Sequence, residues 1–173
     1  KVLDALELNV TEGERIALVG SNGAGKTTMI RCMLGEYTFA GSVEIGGKSP
    51  RANRSEVLKK VGFVPQLPPP LKMPVKELLR FSAAVSGTKV SAIEDIASRL
   101  GLDVKLFASQ PFVKLSGGQK QKLLIAIALG RDAELLIMDE PAANLDPEAR
   151  HVFFTLLAER AAKATMIISS HRL

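Results

Sequence analysis

The sequence predicts an α/β fold with a mainly parallel sheet covered by helices, and three observations carry that prediction. Short apolar runs towards both ends of the chain alternate with segments of helical periodicity. Glycines and prolines bound those runs where strands and helices need to stop. Residues 67–115 carry helical spacing without strand runs and read as an insertion into the alternating chain.

Taken in order, Glu14 to Val19 is an apolar run ending at Gly20 and reads as a strand. Lys26 to Leu34 is a helix with Gly35 placed to terminate it. Ser42-Val43-Glu44-Ile45, bounded by Gly41 and Gly46-Gly47, is a second strand, and Val61-Gly62-Phe63-Val64 a third. Past the Pro68-Pro69-Pro70 run, Pro74 suits the first turn of a helix carrying Val75, Leu78 and Leu79. Ser91 is read as the cap of the next helix, with Ile93, Ile96, Ala97 and Leu100 at helical spacing and Gly101 as its stop. From Ser116 the alternation returns: a helix to Leu129, a strand Leu135–Met138, a helix Pro147–Arg160 and a strand Thr165–Ser169.

Composition narrows the class. Of 173 residues, 46% are hydrophobic and 24% charged, which suits one domain with a sizeable core and excludes a disordered or collagen-like chain. The longest apolar run, Leu123 to Leu129, falls far short of the roughly 20 residues that span a bilayer. The opening residues, with Asp4 early, lack the apolar region of a signal peptide, and the single cysteine, Cys32, suits a reducing compartment, so a soluble intracellular domain is expected. The net charge of +5 is dispersed, and only 5% of residues are aromatic, so no nucleic-acid partner is expected.

Gly20-Ser21-Asn22-Gly23-Ala24-Gly25-Lys26-Thr27 fits the pattern G-x-x-x-x-G-K-[ST] between a strand and a helix. Glycines let consecutive backbone N–H groups converge on phosphates, and the positive end of the following helix favours the same anion. Lys26 is a mobile cation for β- and γ-phosphates, and the Thr27 hydroxyl is placed to bind Mg²⁺. This motif alone leaves a kinase, a GTPase and an ATPase open. Leu135-Leu136-Ile137-Met138-Asp139 is a buried-strand pattern ending in an acid, at the strand end where open α/β sheets bind ligands. Asp139 is therefore a candidate for holding Mg²⁺, and Glu140 for polarising an attacking water. In Leu115-Ser116-Gly117-Gly118-Gln119, Ser116 and Gln119 form a capping box. Helix formation asks for neither glycine, since each costs up to ~1 kcal/mol relative to alanine. They make sense where a phosphate approaches the backbone at a second helix N-terminus.

In this order Gly20–Thr27, Gln66, Leu115–Gln119, Leu135–Glu140, Ala143-Asn144-Leu145-Asp146 and His171 resemble the motifs of the ATP-binding-cassette (ABC) ATPases, over the whole chain. The resemblance implies a P-loop NTPase (RecA-like) fold. It has a mainly parallel core over 1–66 and 116–173, a small antiparallel β part, and a helical subdomain over 67–115 ending at the signature motif. It implies ATP and Mg²⁺ as ligands, with Ser21 to Thr28 (Ser21, Asn22, Gly23, Ala24, Gly25, Lys26, Thr27, Thr28) cradling the chain's own nucleotide. Ser116, Gly117, Gly118 and Gln119 would serve the ATP of a second ABC ATPase domain facing this one head to tail. Gln66 would touch Mg²⁺ and the attacking water, and His171 the γ-phosphate. Asp146 would lie at the dimer interface, although Asp146-Pro147 also reads as an N-cap followed by a first-turn proline.

The implied role is the ATP-hydrolysing subunit of a transporter, at the cytoplasmic face of a membrane beside a separate permease. A soluble ABC ATPase of translation or iron–sulfur assembly is the alternative. The runs Lys120–Ile125 and Asn144–Pro147 look most like ABC-2-type efflux cassettes, and those of some metal-ion transporters are similar. Departures from the family pattern are a lack of any aromatic residue before Gly20 to stack on adenine, alanines at 142 and 143, and Ile127 where an arginine is common. The chain stops two residues after His171, so a fragment shortened at both ends is expected.

Overall fold

Strand β3 (Leu135–Asp139) is buried along nearly its whole length, the mark of a strand covered on both faces. Alternate residues point to opposite faces, so Leu136 and Met138 join one hydrophobic cluster and Ile137 another. In the computed structural model, which describes residues 2–171, β3 is a central strand of a four-stranded sheet. Its order is β1 (Arg15–Val19), β4 (Thr165–Ser170), β3, β2 (Val61–Val64), and every pairing is parallel. The register places Leu18 beside Ser169, Ser169 beside Asp139, and Val64 beside Met138. All four strands therefore end along one edge of the sheet.

Helices cover both faces. On one, α1 (Lys26–Met33) and α2 (Arg54–Leu58) bury Ile30 and Val57 with Leu34, Val61 and Ile137. On the other, α3 (Val75–Ser86), α4 (Val90–Arg99), α5 (Gly117–Gly130) and α6 (Pro147–Arg160) share a larger core around Phe112, Leu123, Ile125, Met138 and Phe153. Two 3₁₀ turns, Val104–Phe107 and Phe112–Lys114, connect α4 to α5. α5 is apolar around most of its circumference because it is enclosed: it packs on α4 and α3 and against β2. Among the described residues no helix is long and apolar enough to cross a membrane.

Four local readings change. Ser42–Ile45 is not a strand; Ile45 exchanges both backbone hydrogen bonds with Lys48 across Gly46-Gly47, and the pairing goes no further. Both glycines have positive φ (59° and 77°), as a tight two-residue turn requires. Ser42 and Glu44 are exposed and no described strand lies beside them, and an isolated two-stranded ribbon is marginal in water. Antiparallel pairing among the described residues thus comes down to two isolated bridges, this one and Pro74 with Pro111. Ser91 does not cap α4: half-buried Val90 already packs on the core and draws the helix start to Lys89, which has no side-chain cap. Pro74 sits one step outside α3, its carbonyl accepting from Leu78. Helix α2, anchored by the single buried Val57, has too few apolar residues to signal itself in the sequence.

The contact between α5 and β2 is close enough to require glycine. A Cβ at Gly62 would lie 2.6 Å from Leu136 Cδ2 and 3.0 Å from the Ala128 carbonyl oxygen of α5. The leucine can rotate away, but the helix backbone cannot. Gly62→Ala is expected to lower unfolding free energy by about 1–3 kcal/mol in a denaturant titration, as overpacking does; unchanged stability would contradict this tight seat.

Candidate functional site

The loop from Gly20 to Gly25 turns the chain from β1 into α1. Gly25 is the residue before the helix, at φ 99°, a left-handed geometry that leaves the first-turn N–H groups of α1 directed into the cleft above the sheet edge. A Cβ there would also come within 2.9 Å of Leu3 Cδ2 and 3.2 Å of Val2 Cγ1, since the N-terminal segment packs on the loop. The cleft is lined by Asn22, Gly23, Gly25, Lys26, Thr27, Thr28, Gln66, Asp139 and Glu140. Ser21 and Ala24 shape the loop behind it, the Ala24 N–H donating to the Ser21 carbonyl.

Each strand end contributes to this cleft. Lys26 Nζ donates to the Gly20 carbonyl at the end of β1, to the Ser170 carbonyl of β4 (3.1 Å) and to Glu140 Oε1 after β3 (3.2 Å). Thr27 Oγ1 donates to Asp139 Oδ2 at 2.9 Å and lies 3.4 Å from Gln66 Oε1, which follows β2. Asp139 is almost fully buried, and its second oxygen accepts from Ser169 Oγ at 2.6 Å. The same hydroxyl accepts from the Glu140 N–H at 2.9 Å, so Ser169 ties both acidic residues to β4. Glu140 is itself unusual: its φ is 49°, a conformation that a non-glycine residue keeps only when its surroundings hold it.

The carboxylate of Glu140 is buried between the Lys26 ammonium and the His171 ring. Lys26 meets Oε1, and His171 Nδ1 lies 3.0 Å from Oε2. Burial alone pushes its pKa up. The hydrogen bonds of His171 and Lys26, together with their charges, outweigh burial and hold it below the ordinary glutamate value.

The second predicted phosphate site lies elsewhere in the fold. Ser116 Oγ accepts from the Gln119 N–H at 3.1 Å, and Gln119 Oε1 accepts from the Ser116 N–H at 2.9 Å, a complete capping box at the start of α5. Ser116 keeps its hydroxyl hydrogen for a further acceptor, and nothing lies within 4 Å of a Cβ placed at Gly117. None of Ser116, Gly117, Gly118 or Gln119 lines the cleft at Lys26. Asp146 does not reach it either. Its Oδ1 accepts from the Ala149 N–H at 2.8 Å as the cap of α6, and its Oδ2 pairs with Lys122 Nζ at 3.1 Å. Those two contacts hold its pKa below the usual aspartate value.

The structure adds Ser169, Ser170 and Gln121 to the residues read from the sequence. Ser169 and Ser170 end an apolar strand beside another that ends in Asp139, and this pairing was the available signal. Gln121 stands between Lys120 and Lys122, just ahead of the apolar run Leu123–Leu129, and its side-chain amide donates to the Pro141 carbonyl at 2.8 Å.

A strand–loop–helix phosphate cradle, a strand-end acid pair and a separate serine–glycine helix start occur together here, and comparison with known proteins decides what they belong to. The ABC transporter family matches residues 3–143. The chain belongs to that family, as an ABC ATPase domain. Bacitracin transport ATP-binding protein BcrA of Bacillus licheniformis is 37% identical over 178 residues, covering 99% of this chain and 57% of BcrA. ATP-binding cassette sub-family A member 10 of Homo sapiens is 32% identical over 176 residues, covering 98% of this chain and 11% of that protein. The chain thus spans little more than half of one relative and about a tenth of the other. Among solved structures, the ATP-binding subunit of an ABC transporter superposes with a TM-score of 0.87 at 30% identity, covering 99% of this chain and 74% of that one.

The lowered pKa of Glu140 links its ion pairs to pH. Because the folded value lies below the unfolded one, the stabilisation is fully present above the ordinary glutamate pKa of 4.5 and is lost as pH falls through the folded value. Denaturant titrations from neutral pH down to about pH 3 should show a stability gap of about 1–3 kcal/mol between the parent and Glu140→Gln, closing only below the ordinary value. A gap that does not change with pH would contradict the ion-pair assignment.

Proposed function

We propose that the domain binds and hydrolyses ATP and drives a transporter whose membrane permease is a separate subunit or segment. The observation that carries this reading is the convergence of Lys26, Thr27, Gln66, Asp139 and Glu140 on one cleft beneath the N-terminus of α1. A triphosphate tail entering there meets the loop amides of residues 21–28, the helix end and the Lys26 ammonium. Lys26 then exchanges Glu140 Oε1 for phosphate oxygen. The carboxylate it leaves is ionised at neutral pH and takes a proton from water as the water oxygen bonds to the γ-phosphorus. The bond to the β–γ bridging oxygen breaks, and the products are ADP and phosphate. His171 keeps Nδ1 beside Oε2 and orients the carboxylate, while its other ring nitrogen meets the γ-phosphate.

The donors around Thr27 suit Mg²⁺. Among the described residues no cluster of three or more His, Cys, Asp or Glu is built to hold a metal. Thr27 Oγ1, Asp139 Oδ2 and Gln66 Oε1 are instead three convergent oxygen donors of the kind a hard cation takes alongside waters and phosphate. Bound there, Mg²⁺ would neutralise charge on the β- and γ-phosphates.

The exposed start of α5 supports a partner role. We assign Ser116, Gly117, Gly118 and Gln119 to the ATP of a second ABC ATPase domain docked head to tail, with Asp146 nearby at that interface. A two-fold arrangement of this kind uses both half-sites of each chain. The α/β core over 1–66 and 116–173 would carry the nucleotide. The helical segment over 67–115 would meet the permease at the cytoplasmic face of the membrane, the permease being of the ABC-2 efflux type.

In the full-length protein, Glu140→Gln should retain ATP while kcat falls by about 100-fold or more, the usual worth of a general base. Lys26→Ala should lose nucleotide affinity itself. Undiminished turnover in Glu140→Gln, read by phosphate release, would overturn the assigned role.

A further inference from the structure

Glu140 combines two backbone constraints. It holds φ at 49° without being glycine, and it stands directly before Pro141, whose ring restricts the residue ahead of it. Such a conformation persists only where neighbouring groups over-determine it. Two hydrogen bonds bracket it. On one side Ser169 Oγ of β4 holds the Glu140 N–H. On the other, Gln121 Nε2 of α5 donates at 2.8 Å to the Pro141 carbonyl, and Pro141 is buried.

Gln121 is 1% exposed, and its orientation is fixed because a carbonyl accepts only from the amide nitrogen. Its Oε1 is buried and meets no donor among the described residues. An orphaned buried acceptor is costly, and Leu123, Leu124 and Ile125, which follow on α5, are buried apolar side chains. Packing alone would favour methionine or leucine at 121. What a glutamine adds is the single bond to Pro141.

The rest of the segment 140–146 is held by the same stretch of α5. Lys122 pairs with Asp146, and a Cβ at Gly118 would lie 3.4 Å from the Asn144 carbonyl oxygen. Hence α5 grips this segment at both ends, and the helix whose first turn carries Ser116–Gln119 also sets the backbone of Glu140.

We propose that Gln121 is a positioning residue for hydrolysis: its bond to the Pro141 carbonyl locks the left-handed backbone of Glu140 and so aims that carboxylate, making its position depend on α5. This rests on the assignment of Glu140 above. Gln121 need not touch nucleotide, and its removal should change the chemical step while leaving binding intact.

The test is made in the full-length protein, with parent turnover and ATP affinity measured first; a parent that neither binds nor hydrolyses ATP overturns the functional reading itself. Given an active parent, Gln121→Met keeps the volume and removes the bond. The expected result is kcat lowered by about 10–100-fold, the scale of a misplaced catalytic group, with KM and ATP affinity within twofold and the melting temperature close to that of the parent. Unchanged kcat, or kcat and affinity falling together, would overturn the proposal. Should Gln121→Met fail to fold, Gln121→Glu decides. A buried carboxyl is neutral at lower pH and then donates one hydrogen bond to Pro141, whereas its ionised form cannot. The ratio of its kcat to that of the parent should rise as pH falls; a flat ratio would overturn the proposal.

Discussion

A single lysine ammonium at the end of three parallel strands is the interaction on which the site depends. Lys26 reaches the carbonyls that close β1 and β4 and the acid that follows β3. This is possible only because the strand order β1-β4-β3-β2 sets those ends side by side in one register. The helix that carries Lys26 starts at the same edge, so its positive end and the lysine charge act on one volume of space. A phosphate tail is the ligand chemistry that such a place favours. On the proposed reading that tail would compete with Glu140 for the lysine, and binding would free the carboxylate.

The sheet edge explains why the catalytic candidates come from distant points of the chain. Asp139 and Glu140 end β3, Ser169 and Ser170 end β4, and Gln66 follows β2. Ser169 joins them, since one hydroxyl donates to Asp139 and accepts from the Glu140 backbone. The acids thus have different work through different surroundings. Asp139 accepts from Thr27, whose hydroxyl also approaches Gln66, while Glu140 faces the Lys26 ammonium and a His171 ring nitrogen. The start of α5 remains turned away from this cleft, which is what a surface serving a second nucleotide would require.

Much of this was legible in the sequence because motif and element coincide. The glycine loop could be placed between a strand and a helix from its flanking apolar run, and in the structure it joins β1 to α1, whose first residues are Lys26 and Thr27. The strand ending in Asp139 was visible because a strand buried on both faces is continuously apolar. Less was visible where the signal is tertiary. Ser169 is an ordinary serine until β4 is laid beside β3. Gln121 gains meaning only when α5 is packed over the segment after Glu140. Ser42–Ile45 has the composition of a strand, but strand formation needs a neighbour that the described residues do not supply. The capping of α4 failed because burial of Val90 overrode the local preference of Ser91. Asp146 satisfied its capping role through Ala149, and the cap does not test a further role at an interface.

The central claim is that this edge reads phosphate, and titration calorimetry on the full-length protein tests it most directly. With magnesium present, ATP should give saturable heat and adenosine, which lacks the phosphate tail, should give none. Equal heat from the two, or no heat from ATP, would contradict the account.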